Sequence, residues 1–142
     1  MVDMFNVEYQ IKARIADKLP EVKAIYSINE QINDAQFPTP AVFTIFDGDN
    51  VSGDTKFHDN RFVIHQRWSI ALYLPARYTI AEIGNAGSLL GEITRVLHGW
   101  VPNGCASPLM RTEALPVERN EHYIVYQQHF AVDIYAEKSE VF

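Results

Sequence analysis

Two long stretches in which apolar and polar residues alternate leave this chain few folds to choose from. In the first, Phe62, Ile64, Trp68, Ile70, Leu72 and Leu74 share one parity, against Arg61, His65, Arg67 and Ser69 on the other. In the second, Ile124, Tyr126, Phe130, Val132 and Ile134 oppose Gln127, His129 and Asp133. Period-2 alternation of this kind belongs to strands with one face buried and one face wet. Each stretch also sets a glutamine, Gln66 or Gln128, in the middle of its apolar face. The likeness of the two stretches is generic to alternating strands, although an internal duplication with a 62-residue offset would also produce it.

Between them lies a segment whose helical start, faces and stop can all be read. Thr79 and Glu82 have capping-box spacing. Ile83, Ala86, Leu90, Ile93 and Leu97 recur at three and four residues, flanked by Leu89, Val96 and Trp100, while Glu82, Asn85, Ser88, Glu92 and Arg95 gather opposite. Gly99 is placed for the left-handed C′ conformation after His98, and Pro102 stops any continuation. An earlier helix is predicted from near Asp3, a potential cap, to Lys18 on the stripe Met4, Val7, Ile11, Ile15 and Leu19, with Pro20 ending it.

Shorter strands fill the rest. Val22 to Ile28 reads as a strand with Val22, Ala24, Tyr26 and Ile28 on one side, and Asn29 to Gln36 as polar connection. Phe37-Pro-Thr-Pro40 is extended and leads into Ala41 to Phe46, apolar on both faces and so a central strand. Asp47 to Asn60 lacks any period and is rich in turn formers, which predicts a long mobile acidic loop or hairpin tip. Leu109 to Val117 is an edge strand, because Pro116 is tolerated only at an edge or end. The order α-β-β-β-α-β-β is that of an α+β fold: an antiparallel sheet of about five strands carrying both helices on one face. The thirteen positions from Phe62 to Leu74 span ~43 Å, longer than the central helix. That overhang, with Tyr73, Tyr123 and Tyr135 at the strand ends, suits packing against another subunit.

A chain of 142 residues, 47% hydrophobic and 21% charged, reads as one globular domain spanning 1–142. A formal net charge of −6 and scattered Lys and Arg argue against a specific nucleic-acid-binding face. The single Cys105 forms no internal disulfide, and no apolar run approaches the ~20 residues that cross a bilayer. The start, Met1 to Asn6, lacks the basic opening of a secretory signal.

Catalytic and metal chemistry find no footing. Histidines 58, 65, 98, 122 and 129 have no ligand spacing. His65 and His129, at equivalent positions of the two long strands, could face one another across a sheet, and otherwise are polar outer-face residues. His98 in the last helical turn suits the macrodipole. Asp47, Asp49, Asp54 and Asp59 could surround a cation, but Val51, Ser52 and His58 break the calcium-loop pattern, so a solvated acidic loop is the simpler reading. Gly84, Gly87 and Gly91 lie inside a helix and are no phosphate cradle. They read as small residues allowing close packing of helix on sheet or subunit on subunit. Neither a metal nor a cofactor is expected.

Pro40-Ala-Val-Phe-Thr-Ile45 before an acidic loop, Gln66-Arg-Trp-Ser-Ile-Ala-Leu-Tyr73 before a capped helix, Leu90 through Leu97-His-Gly-Trp-Val-Pro102, and Tyr126-Gln-Gln-His-Phe-Ala-Val132 occur in this order. On these segments the chain resembles the tail terminator proteins of long-tailed bacteriophages, with the related minor tail and tail-completion proteins. The resemblance implies a structural virion protein, not an enzyme. It would close into a ring, commonly of six copies, on the head-proximal end of the tail tube. There it would stop tube polymerisation and offer a surface to the head connector. The implied partners are other copies of itself, the tail tube protein and the head–tail connector protein, with DNA passing through the ring and no membrane involved. The implied location is the virion tail, assembled in the bacterial host cytoplasm.

The resemblance carries no catalytic residues, so the contact residues are inferences from the sequence. Asp47, Asp49, Asp54, Lys56, His58 and Asp59 are expected in an intersubunit or axial contact loop. Trp68, Trp100, Tyr73 and Tyr135 are expected as seam or core anchors. The competing readings are a small ligand-binding or enzymatic α+β domain, with His65, His129 and Cys105 converging in a pocket, and an adaptor of another phage-like tube system.

Overall fold

Alternation along the two long strands is realised as a single continuous ladder. In the computed structural model, which describes residues 3–27, 37–51, 61–76 and 80–137 (backbone only for 80–84), β3 (Arg61–Pro75) pairs antiparallel with β6 (Tyr123–Glu137). The register runs without a slip from Arg61↔Glu137 to Pro75↔Tyr123, with Trp68 opposite Phe130. One slipped residue would turn Trp68 and Phe130 to the other face, so the pattern fixes the register.

The remaining elements are α1 (Asn6–Lys18), β1 (Ala24–Ser27), β2 (Ala41–Val51), α2 (Ile80–Leu97), β4 (Met110–Ala114) and β5 (Glu118–Arg119). The sheet order is β1-β2-β3-β6-β4, with β5 also on β6. This is the expected α+β architecture with two refinements. The sheet has six strands because the edge segment is split around Pro116, whose missing N–H interrupts the ladder between β4 and β5. It is mixed because β1 runs parallel to β2, Ala24↔Ala41 to Ser27↔Thr44. The connection 28–40 is long enough for a crossover, where a hairpin would need only a few residues.

Both helices pack on one face. Val7, Ile11 and Ile15 of α1 and Ala86, Leu89, Ile93, Val96 and Leu97 of α2 bury against Val42, Ile64, Trp68, Ile70, Leu72, Phe130, Val132 and Ile134. Both central glutamines are buried here. The Gln66 side-chain amide donates to the Met4 carbonyl at 2.7 Å, and its oxygen accepts from Trp68 Nε1 at 3.1 Å. Gln128 Oε1 accepts from Thr94 Oγ1 at 2.7 Å and from Arg111 Nε at 2.8 Å. Each glutamine ties a sheet residue to a covering element, which offsets the desolvation of its amide.

The α2 stop is as read: Gly99 has φ +84°, and its N–H donates to Leu109 O at 2.7 Å. The capping pair falls outside what the structure describes, both at Thr79 and at the Glu82 side chain. At α1 the cap differs from expectation. Asp3 Oδ1 accepts from the Phe5 N–H at 2.9 Å, closing a turn ahead of the helix, and Phe5 occupies the N-cap position with no side-chain cap.

The boundary of the acidic loop also differs. Asp47 to Val51 belongs to β2 and pairs with β3, Gly48↔Arg67 to Val51↔Ile64. A bulge between Phe46 and Gly48 inserts one residue, so the parity that faces the helices changes from even to odd. A period-2 reading sees that phase change as loss of pattern. Gly48 has φ +105°, a conformation L side chains rarely adopt, which makes glycine the natural residue at the bulge.

Candidate assembly interface

The surface available to partners is what the helices leave uncovered: the opposite face of the sheet and its two edges. The opposite face divides along its length. Toward the end where Pro75 meets Tyr123 it carries a second apolar cluster of Ala41, Phe43, Ala71, Tyr123 and Val125, joined by Tyr26, Phe37, Ile45 and Tyr73. Phe37 lies across it, stacked on Tyr123 with ring centroids at 4.5 Å and in edge contact with Phe43 at 5.2 Å and Tyr73 at 5.6 Å. The Phe37 N–H donates to Tyr123 Oη at 3.1 Å. The segment entering β2 thus covers this part of the face from within the same chain. Tyr73 and Tyr123 serve that cluster, and burial, then the charge of Glu118, pushes the Tyr73 phenol above its usual range.

Toward the other end the face is polar and laid out in pairs. The Arg61 guanidinium sits 4.8 Å from the centroid of the Tyr135 ring. His65 Nδ1 meets Asp133 Oδ1 at 2.5 Å, Ser69 Oγ donates to Asp47, and His129 Nδ1 meets Glu113 Oε1 at 3.1 Å.

The expected contact residues therefore have different surroundings. Asp47 and Asp49 are exposed on β2, whereas Asp54, Lys56, His58 and Asp59 lie outside the described residues. Trp68 is fully buried on the helix-covered face, its ring 5.1 Å from Phe46. Trp100 is half-buried against the same core with the Arg14 guanidinium 4.8 Å from its ring centroid. Tyr135 is 36% exposed. Sequence reasoning missed Phe37 as a covering residue, because one aromatic ahead of two prolines has no period to mark it.

The chemistry of a converging pocket is absent from this arrangement. His65 stands opposite Asp133 and His129 opposite Ser69, so the two imidazoles do not face one another and each meets a carboxylate. Cys105 bridges to Ile134 and packs against the helix-side core, away from both. Desolvation raises its thiol to about 11, the opposite of an activated nucleophile. His98 lies just beyond α2, where its Nδ1 accepts the Arg111 N–H at 3.0 Å and locates the start of β4. A Cβ at Gly87 or Gly91 would meet nothing within 4 Å, so close packing of helix on sheet does not explain these glycines. Among the described residues no group of three His, Cys, Asp or Glu is placed to hold a metal. No described helix is long and apolar enough to cross a membrane.

The fold defines an α+β subunit with an open sheet backed by helices on one face, whose strand edges and paired polar surface are left uncovered among the described residues. The family comparison gives that class its identity. The profile of the phage tail terminator protein family matches residues 1–140, and the chain belongs to that family. It is a structural component of a phage-type virion tail. Among solved structures, a chain of the "Virion of native gene transfer agent (GTA) particle" aligns at 14% identity over 86% of this chain and 93% of that one, with a TM-score of 0.49. No curated protein matches the chain in sequence.

Proposed function

We propose that this protein closes into a ring of six copies on the head-proximal end of the tail tube, stops further tube subunits from adding, and presents the surface that the head connector joins. The observation that carries the reading is the family match, which spans nearly the whole chain. Its partners are then other copies of itself, the tail tube protein and the connector protein, and its assembly takes place in the host cytoplasm. A single domain over 1–142 performs this work by contact alone, without catalysis. The segment from Asp47 to Asp59, including Asp54, Lys56 and His58, supplies intersubunit or axial contacts. The segment lies toward the bore, where its negative charge keeps passing DNA from adhering.

The test is assembly without the protein. Tail tubes formed in its absence should run on past their normal length and fail to join heads, and adding the purified chain should restore both. Tubes that end normally and join heads without it would overturn the reading. A ring structure with that acidic segment on the outer wall would overturn the bore assignment alone.

A further inference from the structure

The sheet ends in two unlike edges, each open along part of its length. On one side β1 covers only Ala41–Thr44 of β2, so from Ile45 to Val51 β2 has no outer partner strand among the described residues. On the other side β4 is bonded to β6 along one edge, and Met110 to Ala114 are all exposed. Alternate backbone N–H and C=O groups of an edge strand point outward and need water or another strand. Both edges are also bulged, β2 between Phe46 and Gly48 and β4 between Arg111 and Glu113. Bulges bend an edge away from indiscriminate pairing and favour a partner of matching shape.

Strand direction selects how the edges can meet. β2 is antiparallel to β3, β3 to β6, and β6 to β4, so β4 runs antiparallel to β2 within one subunit. Rotation about an axis along the strands preserves direction. A β4 brought by that rotation to a neighbour's β2 therefore meets it antiparallel, with the helices of both copies on the same side of the joined sheet. Charge agrees with this geometry. Asp49 stands opposite Gln66, and Arg111 opposite Phe130. Gln66 and Phe130 both lie on the helix-covered face, so the carboxylate and the guanidinium emerge on one side of the seam. A two-fold pairing of β2 with β2 would instead set Asp47 and Asp49 against their own copies, which like-charge repulsion opposes. Heterologous contact between two different patches is what closes a ring.

The geometry points to a seam in which Ile45–Val51 of one copy and Met110–Ala114 of the next form an antiparallel ladder, continuing the sheet from subunit to subunit. This rests on the ring reading above and specifies its contact. Cysteine pairs test it in the Cys105→Ser background. Asp49→Cys with Arg111→Cys on the helix side, and Asn50→Cys with Met110→Cys on the open side, sample one antiparallel register in which opposed side chains share a face, and shifting one partner by two residues samples its neighbours. After oxidation on assembled tails, the double variants should give a ladder of linked chains up to the full ring on a non-reducing gel, and each single variant only monomers. Native mass of the same particles reports whether a ring is present. A ring without cross-links in any register overturns the seam and leaves the ring standing. Linked dimers from a single variant overturn it in favour of a two-fold contact. No ring on the tube overturns the ring reading and the seam together.

Discussion

The two faces of the sheet are made from alternate residues of the same strands, yet they reach stability by different routes. The helix-covered face is sealed by separate elements; of its buried polar side chains, Gln66 bonds to Met4 ahead of α1 and Gln128 to Thr94 of α2, while the Thr44 hydroxyl has no hydrogen-bond partner among the described residues. The open face has no helix over it among the described residues. Its apolar end is covered by Phe37 from the segment before β2, and its polar end is satisfied pair by pair, as at His65 with Asp133 and Arg61 with Tyr135. A face that must remain available for partners can afford small local contacts, whereas one closed off by helices depends on volume and packing.

The largest test of that contrast is Trp68→Ala. Trp68 is fully buried and holds both Phe46 and Gln66. Its truncation leaves a cavity and an unsatisfied amide oxygen, a loss of about 4 kcal/mol. The urea midpoint should fall far enough that the variant is largely unfolded at 37 °C or fails to accumulate. A near-normal midpoint would mean that the helix-covered core does not depend on its largest member.

Phe37→Ala is the matching test on the open face and should lose about 2 kcal/mol in urea unfolding, from apolar area and ring pairing together. Near-UV dichroism should change with it as the Tyr123 and Tyr73 rings lose their neighbour. A loss of a few tenths would reduce the second cluster to surface decoration and remove the distinction between the two ends of this face.

How much of this could be read from the letters follows from the same contrast. Periodicity exposed the covered face of β3, β6 and α2 because one long alternation or one long 3.6-residue stripe is statistically loud, and Gly99 marked its stop correctly. The open face reads as partly wet, with β2 apolar on both sides and Tyr73 and Tyr123 as a packing surface, but its apolar cluster does not read as one because it joins β1, the segment before β2, β2, β3 and β6, which meet only through the sheet's register. The bulge at Asp47 disguised strand as loop by shifting phase. The carboxylate partners of His65 and His129 depend on register between strands that are distant in sequence. No spacing rule reaches that far.

Smaller effects sharpen the boundary between covering element and solvent. Gly87 and Gly91 are exposed on α2 with free space at the Cβ position. Gly87→Ala and Gly91→Ala should each stabilise the subunit by about 1 kcal/mol, read as a higher thermal midpoint. A variant that is more stable but no longer assembles on tails would place a subunit contact on the outer side of α2. Tyr135→Ala removes one exposed cation–π contact and should change stability by about 0.5 kcal/mol in urea. A larger loss would show that the polar end of the open face is a packed layer.

Cys105 lies at the rim of the covered face and offers the finest test, through pH. Burial raises its thiol to about 11 in the folded chain, above the ordinary value of 9.0. Below pH 9 the thiol is protonated in both states and its contribution is fully present. As pH rises from 9 toward 11 the unfolded chain loses the proton first, so the unfolded state gains and stability falls. The raised Tyr73 phenol adds a fall of the same sign above pH 10, which is why the wild type must be compared with Cys105→Ser. The difference between their thermal midpoints should be constant up to pH 9 and then shift in favour of Cys105→Ser. A difference that stays flat to pH 11 would mean that the thiol is hydrated, and that the covered face stops short of Cys105.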